Sequence, residues 1–141
     1  MSKLSPGKNQ FKLSPGKRLT SNSPAVGIGY ETGAGSSITQ QTDRTTGVTI
    51  NAICGAITTN TASLAVEAAA EFTVTNSSVA IGDVVVASIR SGSNGGNTDV
   101  IVSTIAAGSF NLKVCNNNAA AGTAETGAII INFAIIKAVN N

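Results

Sequence analysis

Beyond residue 25, apolar and polar residues alternate over short runs with a period of two, the period of a half-buried strand. "AVGIGYET" predicts a glycine-rich first strand from Ala25 to Thr32, and "SSITQQT" a weak second one around Ile38. "TTGVTINAICGAITT" sets Val48, Ile50 and Ala52 on one side, and Gly55 reads as a bend or bulge before Ala56–Thr59. "AEFTVTN" puts Phe72 and Val74 on one face and Thr73 and Thr75 on the other. "GDVVVASIR" is almost continuously apolar, as expected of a strand covered on both faces. "SGSNGGN" is the strongest turn signal, and its Asn94-Gly95 predicts a hairpin that returns as "TDVIVSTIAAG". "SFNLKVCNN" alternates strictly, with Phe110, Leu112 and Val114 inward and Asn111 and Lys113 outward.

Two segments depart from simple alternation. "ASLAVEAAAE" (62–71) is rich in helix-favouring alanine, but it has no capping glycine and runs straight into "EFTVT". It reads as a loop or a single turn. The last segment, "AIIINFAIIKA", is apolar on both faces. Ile129, Ile131, Phe133 and Ile135 are expected in the core. Ile130, Ala134 and Ile136 then point outward, and covering them calls for another layer or another subunit. Seven to nine short strands at this spacing predict an all-β protein, a β-sandwich with jelly-roll or immunoglobulin-like connectivity and an extended N-terminal arm.

Composition separates that arm, residues 1–25, from the sandwich domain, residues 26–141. The hexapeptide "KLSPGK" occurs at 3–8 and again at 12–17, and Pro6, Pro15 and Pro24 recur every nine residues. Proline lacks an N–H and restricts its predecessor, so the arm should be extended with turns at Pro-Gly. Lys3, Lys8, Lys12, Lys17 and Arg18 give it five positive charges and no negative one. The rest of the chain holds four basic and seven acidic residues, a net charge of −3. A basic arm on a mildly acidic body seeks an acidic partner, nucleic acid or protein. The arm has one aromatic residue and one arginine, which argues against nucleic acid. Leu4, Phe11 and Leu13 are spaced as apolar anchors between the charges. Lys3, Leu4, Lys8, Phe11, Lys12, Leu13, Lys17 and Arg18 are therefore the expected protein-binding residues.

Little in the chain suggests catalysis. There is no histidine, so Ser–His and Cys–His pairs are excluded, and so is a nitrogen-ligated zinc site. The carboxylates are Glu31, Asp43, Glu67, Glu71, Asp83, Asp99 and Glu125, with no spacing that marks an acid–base pair. Asp83 and Asp99 each begin a valine-rich strand and read as solvated strand ends. "GIGYETGAG" lacks both the dinucleotide-binding spacing and its strand-to-helix context. Cys54 and Cys115 read as free thiols, with a disulfide between them left open. No enzyme activity, metal or cofactor is expected. "MSKLSPGKNQ" has charge with no apolar stretch behind it, and the longest apolar run, "AIIINFAIIKAV", is too short to span a bilayer. Synthesis in the cytoplasm and no membrane partner are the expectations.

The stretches "GYETGAGSSITQQTDRTTGVTINAICGAITTN" (29–60), "FTVTNSSVAIGDVVVASIRSG" (72–92), "AAGSFNLKVCNN" (106–117) and "INFAIIKAV" (131–139) resemble a small domain of tailed-bacteriophage virions. The likeness is to head-decoration (cement) proteins and to terminal domains of some tail fibres. It implies a sandwich or jelly roll, commonly trimeric, on the outer capsid surface, with the major capsid protein as partner. The "KLSPGK" repeat is not part of that likeness. The leading expectation is a cement protein that bridges capsid subunits through its body and basic arm. The alternative is a receptor- or glycan-binding tail-fibre module.

Overall fold

A computed structural model describes residues 16, 24–25, 27–94 and 96–138. Among them the chain is all-β. Its strands are β1 (Gly35–Thr39), β2 (Val48–Thr49), β3 (Cys54–Thr58), β4 (Ala69–Thr75), β5 (Val84–Ser91), β6 (Thr98–Ala106), β7 (Ser109–Asn116) and β8 (Ile130–Ile136). They form two four-stranded sheets, one in the order β1-β3-β8-β5 and the other β2-β4-β7-β6. Each sheet has one parallel pair at an edge, β1 with β3 and β2 with β4. The remaining pairs are antiparallel. The chain changes sheet at every step but one, from β6 to β7. No helix of the described residues is long and apolar enough to cross a membrane.

The expected sandwich rests on the alternation read from the sequence. In β7, Phe110, Leu112 and Val114 are buried, and in β4 the buried residues are Ala70, Phe72 and Val74. In β8, Ile131, Phe133 and Ile135 face inward, with Ile129 buried just before the strand. The rings of Phe110 and Phe133 meet across the two layers at 5.4 Å, tilted by 52°, a geometry that adds to area burial. Residues 62–68 form no helix. They hold an isolated bridge from Leu64 to Glu125 and a turn.

Four local expectations are corrected. The described part of the proposed Ala25–Thr32 strand is exposed and irregular. Glycines at 27 and 29 leave it few side chains to pack, the Tyr30 hydroxyl ties it to β8 by donating to the Ile135 carbonyl, and Ala34 N–H closes a turn on the Glu31 carbonyl at 3.1 Å. The "SGSNGGN" segment is a connection, not a hairpin: β5 and β6 lie in different sheets. Asn94 is drawn instead to the segment before β8, where its Nδ2 donates to Thr126 Oγ1 at 3.0 Å and its Oδ1 accepts from Thr126 N–H at 3.0 Å. The tight hairpin joins β6 to β7 at Ala107-Gly108, with Gly108 at φ +80°. Strand β5 is an edge strand covered on one face only, so Val85 is buried while Val84 and Val86 are 49% and 51% exposed.

Gly55 is the fourth correction. It makes no bulge and sits within β3, paired in register with Ser36 and Phe133. A Cβ there would press on the Ser36 carbonyl oxygen and lie 3.0 Å from Ile50 Cδ1 and 3.1 Å from Phe133 Cε1. The missing side chain lets β1 and the core close around β3. Gly55→Ala should therefore lower stability by about 1–3 kcal/mol in urea unfolding, as overpacking does. Gly27→Ala, with nothing within 4 Å of its Cβ, should stay within ~0.5 kcal/mol of the native chain. Equal stability of the two variants would refute the close-approach role of Gly55.

Candidate functional site

The charged residues of the body mostly serve the fold. Arg44 is 5% exposed, between β1 and β2. Its guanidinium is spent on backbone carbonyls. Nε donates to Ala62 O, Nη2 to Gly127 O at 2.7 Å, and Nη1 to the Thr59 hydroxyl at 3.2 Å. Burial pushes its pKa down, and the charge of Glu125 partly offsets that. Glu125 is fully buried. Its carboxylate accepts from Thr98 Oγ1 at 2.7 Å, Ser93 Oγ at 3.1 Å and Asn94 N–H at 3.2 Å. Gln40, also buried, donates to the carbonyls of Arg44 and Thr46 and accepts from Asn60 N–H. This cluster ties together the segments around β1, β3, β6 and β8 at one end of the sandwich.

Asp83 is not the solvated strand end that its position suggested. It is 4% exposed and pairs with Lys137, while its Oδ2 also accepts from Ala80 N–H at 2.8 Å. Lys137 donates to Ser78 O at 2.8 Å as well, so the pair closes the loop before β5 onto the end of β8. Asp99 is exposed and accepts from Asn117 Nδ2 at 2.9 Å. Asp43 organises a turn, accepting from Thr45 N–H at 2.8 Å and the Thr45 hydroxyl at 2.7 Å.

The two outer faces of the sandwich differ. On the β2-β4-β7-β6 sheet, Glu71 and Lys113 form an ion pair at 3.2 Å. Ser103 and Asn111 each donate to Glu71 at 2.9 Å, and Thr73 donates to Asn111 at 3.0 Å. That face carries its own polar network, beside which Ile101 is 48% exposed. The outer face of the β1-β3-β8-β5 sheet holds Val84, Val86, Ile136, Ala134, Cys54 and Ala56, with Ser37, Thr58, Ser88 and Asn132 around them. Ile136 is 53% exposed, and Ile81, just before β5, is 73% exposed. Among the described residues of this face the only charge is Arg90, in the bulge at the far end of β5. A shallow depression crosses it, lined by Gly35, Ser37, Cys54, Ala56 and Asn132. The outward set expected from the last strand is thus where the sequence put it. Ile130 and Ala134 are half-buried, and Ile136 is exposed.

Cys54 and Cys115 are free and half-buried. Cys54 lies on the apolar outer face and Cys115 on the polar one, so the two sheets separate them and no disulfide joins them within one chain. The proposed arm contacts, Lys3, Leu4, Lys8, Phe11, Lys12, Leu13, Lys17 and Arg18, lie outside the described residues. Comparison with protein families, with curated proteins and with solved structures finds no match.

The carboxylates of Asp43, Glu71 and Asp83 are all held below their ordinary pKa. For Asp83 the main cause is its hydrogen bond from Lys137; for Glu71, that from Asn111; for Asp43, that from the Thr45 hydroxyl. A depressed carboxylate stabilises the fold above its unfolded pKa of about 4, and that contribution disappears as pH falls through the folded value. Asp83→Asn should therefore lower the melting temperature at pH 7. Its deficit relative to the native chain should shrink in melts taken progressively below pH ~4, as first the unfolded and then, at lower pH, the folded Asp83 takes up a proton. A deficit that is constant with pH would rule out the Asp83–Lys137 pair as its source.

Proposed function

We propose that this protein is a structural virion component, a capsid-decoration (cement) protein that stabilises a phage head by bridging major-capsid subunits. The observation that carries this reading is the inequality of the two outer faces. One face completes its own polar contacts, while the other leaves Val84, Val86 and Ile136 about half exposed on a surface nearly free of charge. Covering such a surface desolvates few ions. The likeness of residues 29–60, 72–92, 106–117 and 131–139 to virion domains supports the same reading. The body would sit on the outer capsid surface, and the arm would lie along an acidic seam between capsid proteins. There each "KLSPGK" unit would place a lysine on either side of a Ser-Pro-Gly turn and an apolar peg beside it. Nine extended residues reach at most ~30 Å, enough to repeat one contact across a subunit junction.

The alternative, a glycan- or receptor-binding tail-fibre module, draws on the shallow depression over β1, β3 and β8, whose rim is small and neutral-polar. Copy number separates the two. The full chain should co-sediment with whole tailed-phage particles in hundreds of copies per particle. A few copies per particle would favour the fibre, and no binding would overturn both. Converting Lys8, Lys12, Lys17 and Arg18 to Gln should weaken attachment most at low salt, because exposed ion pairs are screened. A loss independent of salt would assign the contact to Leu4, Phe11 and Leu13 instead.

A further inference from the structure

We infer that the outer face of the β1-β3-β8-β5 sheet is a two-fold interface between copies of this chain. The inference draws on the same face as the virion reading, and its test on the isolated chain is separate from co-sedimentation with phage particles. Three features identify the occupant as a second copy. The face can meet itself without repulsion, because its central residues Val86, Ala134 and Cys54 carry no charge and Arg90 sits at the far end of β5. Its strand area approaches that of a specific interface. Four strands of five to eight residues, at the usual strand spacing and rise, span about 400 Å² in projection. Two copies thus cover roughly 800 Å² before side-chain relief and the rim at Ile81 are added, close to the ~1,000 Å² that a specific interface requires.

The third feature is symmetry. A single self-complementary patch closes about a two-fold axis, whereas a three-fold ring needs two different complementary patches on each chain. Of the two outer faces of the described residues, this one has no charge at its centre, whereas the opposite sheet places the Glu71–Lys113 network there, beside the exposed Ile101. A dimer, rather than the trimer implied by the virion resemblance, is the assembly that this geometry favours.

The two cysteines make the test internal. Both are half-buried in the single chain, one on each face, so a monomer should alkylate them at comparable rates. In the two-fold dimer Cys54 is covered and Cys115 is not. Light scattering on the full-length chain should give twice the chain mass. Maleimide labelling followed by peptide mass analysis should modify Cys54 at least about tenfold more slowly than Cys115. Val86→Lys should yield monomer and restore Cys54 labelling, whereas Thr73→Lys, on the opposite face, should leave the dimer intact. The readings on the native chain stand even if a variant misfolds. A monomer that labels both cysteines alike overturns the inference. So does a trimer, and so does a monomer with Cys54 shielded, which would place another part of the same chain on the face.

Discussion

The meeting of β7 and β8 across the sandwich is the contact on which the other strands depend. These two strands are internal to their sheets, and each is flanked on both sides. Phe110, Leu112 and Val114 from one and Ile131, Phe133 and Ile135 from the other are nearly inaccessible to water. Full burial of such side chains contributes about 1.5–3 kcal/mol each. Strands β4 and β6 are paired to β7, and β3 and β5 to β8, so their register follows from this central pair.

A chain that changes sheet at nearly every step must run many connections over the ends of the sandwich, and those connections carry backbone carbonyls into buried places. The buried polar side chains answer that need. Arg44 gathers the carbonyls of Ala62 and Gly127. Asn76 holds Ala52 O at 2.8 Å, and Asn116 holds Thr123 O at 3.0 Å and Leu64 O at 3.2 Å. Leaving such groups unpaired would cost about 1–3 kcal/mol each. Among the described residues, no buried side-chain nitrogen or oxygen lacks a partner. The low charge content therefore does not mean weak electrostatics. Two of the few charges, Arg44 and Glu125, are placed inside, where each organises several segments at once.

Period-two patterning made the strands legible wherever one face was buried and the other solvated, as in β4 and β7. It also assigned the two faces of β8 correctly. It misread β5, because an apolar run does not distinguish a strand covered on both faces from an edge strand whose second face is left bare. The Asn-Gly signal marked a reversal but not the sheet to which the chain returns, since strand pairing is a long-range matter that a turn does not encode. The roles of Arg44, Asp83 and Glu125 were equally hidden. Asp83 and Glu125 are isolated charges in apolar or small-residue contexts, Arg44 follows Asp43 in a polar stretch that reads as a solvated loop, and each has partners tens of residues away in sequence. In a chain with so few charges, an isolated one beside an apolar strand is the signal that could have raised the expectation of burial.

The same scarcity of charge bears on what the exposed face is for. A solvent-facing sheet is ordinarily protected from association by charged side chains, and the β2-β4-β7-β6 sheet follows that rule with Glu71, Lys113 and Asp99. The other sheet has valine, isoleucine, alanine and cysteine there, interleaved with Ser37, Thr58, Ser88 and Asn132 and with Arg90 as its only charge among the described residues, although its inward positions are already filled by a core. Val84, Val86 and Ile136, each about half exposed there, add less to the packing of the single chain than core residues do, and they raise its tendency to associate. Such a surface is consistent with a protein that works in contact with others, whether with its own copies or on a particle.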